Sequence, residues 1–291
     1  MRARFGLVVI ASALLGAGCS TAEGDAGAAT FAARAGSLGI LQVEQQGAAE
    51  AGIGGPPAQL GAAFARYRGL SGDAVVGLLG GRAAGALDAC GAPDAEPEAL
   101  GEAGASVDLL DVGVIEVRVG DAEARLVPRT FPELARVAAG FFYAGDATLG
   151  EVRADLDVYT FRAEGSRELP GFEVAVPAPG ALGEVRVDGE LARETERVGI
   201  LRDRDLEFTW EGLDPRDQIE LELVSEGASV LCRARDDGSF RVPAASLGTL
   251  APDAGARLVM RRVRVQPFDA AGVDVAYVRV ATTRVFDAVV R

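Results

Sequence analysis

Three features of the sequence predict an all-β fold built from β-sandwich modules. Apolar and polar residues alternate in short runs, as in IEVRV and LEFTW, and a period of two turns one face of a strand to a core and the other to water. Gly, Pro and Asp punctuate these runs at near-regular intervals, the pattern of turns between strands. Hydrophobic residues make up 49% and charged residues 25% of the 291-residue chain, a composition that buries a core and argues against general disorder.

The first segment is not a strand. Arg2 and Arg4 give a positive start, Phe5 to Ala17 carry no charged side chain, and Gly16, Ala17 and Gly18 lead into Cys19. Positive, apolar and small-residue regions in that order read as an export signal, too short for the roughly 17 to 25 apolar residues that span a bilayer. With LLGAGCSTA at Leu14–Ala22, the segment resembles a bacterial lipoprotein signal, in which lipid is joined to a cysteine thiol and the chain is cut before it. The resemblance implies a signal peptide over 1–18, lipidation of Cys19, and a lipid bilayer as partner through an N-terminal acyl anchor. Ordinary cleavage near Ala22 and an uncleaved anchor are the alternatives. Each buried lipid methylene contributes about 0.8 kcal/mol, so two or three acyl chains hold a protein where one does not. Ser20 after the cysteine implies the outer membrane, by resemblance to enterobacterial sorting.

Residues 19–35 are small and polar and predict a flexible tether. LGILQVEQQ, Leu38–Gln46, predicts a first strand, and Gly47–Pro57 a loop. Ala58–Ala89 is ambiguous. Its alanines and leucines favour helix, with Leu60, Phe64 and Tyr67 on one face, but repeated glycines interrupt it, each costing about 1 kcal/mol inside a helix. VGVIEVRVGDAEARLVP predicts strands over Gly113–Val119 and Ala122–Val127, joined at Gly120 and Asp121. PELARVAAG, Pro132–Gly140, opens on proline and ends on glycine, so a short helix is expected there. Phe141, Phe142 and Tyr143 are expected in the core or packed between sheets.

Strands are next expected over Leu149–Ala154 and Leu156–Arg162, followed by GFEVAVPAPG, with Phe172, Val174 and Val176 sharing a face until Pro177 and Pro179 stop the ladder. These prolines set a domain boundary, dividing a β-rich domain over 36–178 from an immunoglobulin-like sandwich over 179–291. In the second part ALGEVRVDG, DLEFTWEG and QIELELVSEG are alternating runs. Asp237 and Gly238 predict a turn between Val230–Arg235 and Ser239–Val242, and Pro243 starts a helical turn, PAASLGTL. ARLVMRRVRVQPF and VDVAYVRVATTRVF complete the sheet.

Composition removes whole function classes. The formal charge is −14 and all 29 basic residues are arginine, an acidic balance that repels nucleic-acid phosphates. There is no histidine, so the Ser-His-acid arrangement, the histidine zinc site and the histidine general base are excluded. No Gly-rich loop runs into lysine, so a nucleotide phosphate cradle is absent, and no cofactor is expected. A carboxylate pair of the glycosidase kind remains open among 43 Asp and Glu residues, but none stands out by spacing, and the plain reading is a solvated acidic surface. Asp203, Asp205, Asp236 and Asp237 are hard oxygen ligands without the alternating pattern of a helical calcium loop, so no metal site is expected. Trp210 is in phase with Leu206 and Phe208, which predicts a core position rather than a sugar-stacking platform. With Cys19 lipidated, Cys90 and Cys232 would lie in an oxidising compartment, either as one disulfide or as two buried thiols.

From Leu38 onward, LPGFEVAVPAP at Leu169–Pro179, LRDRDLEFTW at Leu201–Trp210 and DDGSFRVPAASLGTL at Asp236–Leu250 resemble an uncharacterised group of myxobacterial-type secreted lipoproteins with β-sandwich modules. The resemblance implies an all-β region, then Pro-Ala-Pro, then a second β region, and brings no activity with it. The expectation is a non-catalytic cell-envelope lipoprotein with a structural or binding role and an envelope protein or polysaccharide as partner. A carbohydrate- or protein-recognition module and a carboxylate-dependent hydrolase are the alternatives.

Overall fold

The computed structural model describes residues 35–47, 57–80, 86–91, 104–134, 138–149, 156–212 and 214–291. The signal segment 1–18, Cys19 and the tether up to residue 34 lie outside them, as do residues 150–154 of the strand expected over Leu149–Ala154.

In chain order the elements are β1 (Ala35–Gln46), β2 (Pro57–Arg68), α1 (Gly72–Leu78), β3 (Ala89–Gly91), β4 (Ser106–Leu109), β5 (Ile115–Val119) and β6 (Ala122–Leu126). Next come β7 (Arg129–Leu134), β8 (Ala138–Thr148), β9 (Val158–Gly165), β10 (Pro170–Pro177), β11 (Val185–Val187), β12 (Glu190–Leu191) and β13 (Val198–Ile200). Last are β14 (Leu206–Trp210), β15 (Asp217–Ser225), β16 (Ala228–Arg235), β17 (Ser239–Val242), α2 (Ala244–Leu247), β18 (Gly255–Pro267) and β19 (Val275–Val290). The chain is all-β, with three sheets in a sandwich-like arrangement.

The main sheet runs β3-β16-β15-β18-β19-β1-β2-β4-β8-β7, with β13 also on β19, while β10-β9-β5-β6 and β12-β11-β14-β17 form two four-stranded sheets. β18 and β19 pair without a register shift from Gly255 opposite Val289 to Pro267 opposite Tyr277. Because side chains alternate, Val278, Val280, Phe286, Ala288 and Val290 share one face of β19. The first two join a core with Ile115, Val117, Tyr159, Phe161 and Val176 of the β5/β9/β10 sheet. The last three join a second core with Val185, Leu206, Phe208, Trp210 and Val242 of the β11/β14/β17 sheet. Apart from Val278 and Val280 of β19, the first core is drawn from residues up to Ala178, and the second begins at Leu182, close to the boundary read from the prolines. The main sheet nevertheless crosses that boundary, since β1 pairs in parallel with β19.

On the opposite face, Leu38 and Ile40 of β1 and Ala65 and Tyr67 of β2 pack with Val75 and Val76 of α1. Ser71 caps α1 by accepting the Ala74 N–H at 3.2 Å, which satisfies one of the donors a helix start leaves open. Among the described residues, the ambiguous stretch after Ala58 holds a twelve-residue strand, which starts at Pro57, and then one short helix. β2 packs closely against β1, where a Cβ at Gly39 would lie 2.7 Å from the Phe64 ring on β2.

The helix expected over Pro132–Gly140 is replaced by strands β7 and β8, with a register irregularity between Phe131 and Leu134. A helix of that length is marginal alone, whereas β8 gains partners on both β7 and β2. Proline is accommodated because β7 is the last strand of the sheet. The Asp237-Gly238 turn joins β16 of the main sheet to β17 of a small sheet, so it switches sheets instead of closing a hairpin.

Between the two cores the shared face of β18 and β19 becomes polar. Arg262, wholly buried, donates through Nη1 and Nη2 to the carbonyls of Ala181 and Glu211. Its Nη2 also donates to Asp236 Oδ1 at 3.1 Å, and Nε lies 2.8 Å from Asp236 Oδ2 as an ion pair. Trp210 Nε1 donates to the same Asp236 Oδ1 at 2.7 Å. Arg284 donates to the Gly183 carbonyl at 2.7 Å, so two guanidiniums pin the strandless connection after Pro177 to the main sheet. Removing one partner of a buried ion pair costs about 3–5 kcal/mol, because the other charge stays buried without it. Asp236→Ala is therefore expected to lower the unfolding free energy by about that amount, measured by urea denaturation. A loss below about 1 kcal/mol, the range of exposed pairs, would contradict this role.

Candidate binding groove

The α1 side of the main sheet carries a groove of about 370 Å³, lined among others by Gln42, Glu44, Gln59, Leu78, Leu79 and Phe142. Its floor follows from strand alternation. Gln42 and Glu44 project from β1 on the face of Leu38 and Ile40, and Gln59, Gly61 and Ala63 project from β2 on the face of Ala65. Glu44 lies opposite Gln59 and Gln42 opposite Gly61. The hollow exists because Gly61 has no side chain: a Cβ there would meet only the Tyr143 carbonyl oxygen, at 3.8 Å. Leu78 and Leu79, at the end of α1, supply an apolar wall.

Glu44 is held in place from the neighbouring strands. Its Oε1 accepts from Arg261 Nε at 2.7 Å and from Thr283 Oγ1 at 3.0 Å, and Arg261 Nη1 also donates to Glu222 at 2.8 Å. Burial opposes ionisation of Glu44, but the charges of Arg261 and Arg279 and these hydrogen bonds outweigh it, and its pKa is lowered. Glu44 is therefore a carboxylate at neutral pH. The ledge continues through Arg279, whose Nη2 donates to Glu220 at 2.6 Å, and Arg233, which donates to Gln218. Tyr277 on the same face is pushed up to about 12, chiefly by burial, and stays protonated. Beyond Arg261 and Thr283, Glu44 offers a second oxygen, and the Gln42 and Gln59 amides have no hydrogen-bond partner among the described residues.

Cys19 lies outside the described residues. Cys90 and Cys232 face each other across β3 and β16 and are joined in a disulfide, far from the groove's β1 and β2. Trp210 is buried in the second core and bonded to Asp236. Of the four candidate aspartates, Asp236 is committed to Arg262 and Asp205 accepts the Ala244 N–H at 3.0 Å. No cluster of three or more Asp, Glu or Cys residues suited to a metal occurs among the described residues. No helix among them is long and apolar enough to cross a membrane. The groove residues were not singled out by motif, although the alternation Gln42/Glu44 against Leu41/Val43 marks a second, polar face on β1.

The carboxylates that do converge are occupied by arginine. Arg264 donates through Nε to Asp217 at 2.6 Å and through Nη2 to Asp214 at 2.7 Å. Burial raises the pKa of Asp217. Hydrogen bonding from the Arg216 side chain, helped by Arg264, brings that of Asp214 down to about 2. Asp217 has no exposed side-chain surface, so this pair is closed to a substrate.

No family model matches the chain, and no curated protein matches it. Among solved structures it matches "Crystal structure of chicken CNTN1 FN1-FN3 domains" at 11% identity with a TM-score of 0.19, over 61% of this chain and 57% of that one. An overlay that low transfers neither fold nor activity, and the sandwich-like arrangement stands on the strand pairing itself.

A depressed carboxylate pKa stabilises the fold above its unfolded pKa and stops doing so as pH falls through the folded value. The stability difference between the wild type and Asp214→Asn is thus expected to be full above about pH 4 and to vanish towards about pH 2. Urea titrations across that range measure it, and a difference independent of pH would contradict the assignment.

Proposed function

We propose that this chain is a lipid-anchored module of the bacterial envelope that works by binding rather than by catalysis. The observation that carries the reading is the ordered charge, apolar run and small residues ahead of Cys19. The residues between Cys19 and the start of β1 at Ala35 reach about 50 Å when fully extended at ~3.4 Å each, enough to hold the sheets clear of a bilayer. A binding role is favoured by the groove on the main sheet, and catalysis is disfavoured by the lack of histidine and by the closure of Asp214 and Asp217 around Arg264. The outer membrane is the proposed address and an envelope polysaccharide or protein the proposed partner.

Expression of the full chain in a bacterium with two membranes, fed an alkyne-tagged palmitate, tests the anchor. The wild type is expected in the membrane fraction with label on its N-terminal peptide, and Cys19→Ser is expected to lose the label. An unlabelled wild type in the soluble fraction, with its first residues intact, would overturn the proposal.

A further inference from the structure

We propose that the groove between β1, β2 and the end of α1 binds one ring of a neutral, hydroxyl-rich glycan. The inference rests on the binding role just argued and names the ligand class for it. Three polar groups meet on the floor: the Gln42 and Gln59 amides, without partners among the described residues, and the remaining oxygen of Glu44. Two amides and a carboxylate together offer donors and acceptors of both kinds, the set that vicinal hydroxyls need. The wall is apolar, from Leu78, Leu79 and Phe142, and suits the C–H face of a sugar ring. The volume of about 370 Å³ lies at the small end of ligand sites, which fits one ring and leaves the rest of a chain outside.

Charge selects against other small ligands. Among the described residues the groove lining contains no arginine, so a phosphate or carboxylate finds no cationic partner there. Glu44, the one carboxylate of the lining among the described residues, already faces Arg261 at 2.7 Å, so an ammonium would meet a charge already compensated. Glu44 is also positioned in advance: Arg261 is itself held by Glu222, and Thr283 fixes the same oxygen. A ligand therefore does not have to supply the ordering of that side chain.

Gly61 gives a direct test, because a Cβ there points into the hollow and comes no nearer than 3.8 Å to the Tyr143 carbonyl oxygen. The purified full chain in detergent would be presented to an array of neutral, acidic and amino oligosaccharides, and the best binder followed by isothermal titration. Neutral oligosaccharides are expected to bind preferentially. Gly61→Leu is expected to weaken binding at least tenfold with its melting temperature unchanged, and Gln59→Ala, at an exposed position, severalfold. Failure of every neutral oligosaccharide, preference for an acidic one, or equal binding by Gly61→Leu and Gln59→Ala would overturn the assignment. A protein that is acylated at Cys19 yet binds no glycan would sink the groove alone, and glycan binding without acylation would sink the anchor alone.

Discussion

A guanidinium with no exposed surface holds the centre of this molecule. Arg262 sits on β18 at the seam where one core ends and the other begins, and it reaches three separate parts of the chain: the connection at Ala181, the end of β14 at Glu211, and Asp236 at the sheet switch. Burying such an ion costs several kcal/mol, recovered only when its partners are well placed. Two carbonyls and one carboxylate do that here, and Trp210 completes the second hydrogen-bonding demand on Asp236. The connection between the two small sheets crosses a polar strip of the main sheet, whose guanidiniums donate to the Ala181 and Gly183 carbonyls. Arg262 and Arg284 are that strip.

The long pair β18 and β19 then serves both cores at once. Val278 and Val280 belong to the first, Phe286 and Ala288 to the second, and Leu258 and Met260 of β18 also face the second. β1 docks in parallel along β19 from Leu38 opposite Val275 to Gln46 opposite Thr283, so the two ends of the described chain are joined in one ladder. The groove depends on this arrangement. Its floor residue Glu44 comes from β1, while the guanidinium that fixes it, Arg261, comes from β18, on the face opposite Arg262. Consecutive arginines thus serve opposite sides of the sheet, one closing the seam and the other setting the groove.

Much of this was legible in the sequence where alternation and turns agree. Ile115, Val117 and Val119 are buried on one face of β5, and Phe208 and Trp210 lie in the second core as their phase requires. Ala178, just before Pro179, marks the end of one core. What local pattern could not convey was pairing across long sequence distances. The proline and glycine flanking Pro132–Gly140 satisfy a helix locally, but β2 and β7 compete for β8 and win. DDG reads as a turn, as it is, but which sheet each flanking strand joins shows only once the partners of β16 and β17 are known. Nothing local marks the arginines inside RLVMRRVRV as buried, because their carboxylates are tens of residues away. The groove was hidden for a related reason: Gln59 and Gly61 acquire meaning only when β1 is set beside them.

Native-state hydrogen exchange, read residue by residue along β18 and β19, tests most directly whether one sheet unites both cores. Amides of both strands, from Val259 to Val263 and from Val278 to Ala288, should exchange only through a single global opening of common free energy. Two plateaus, one for the residues over each core and separated by several kcal/mol, would mean that the halves open independently and that the shared sheet does not couple them.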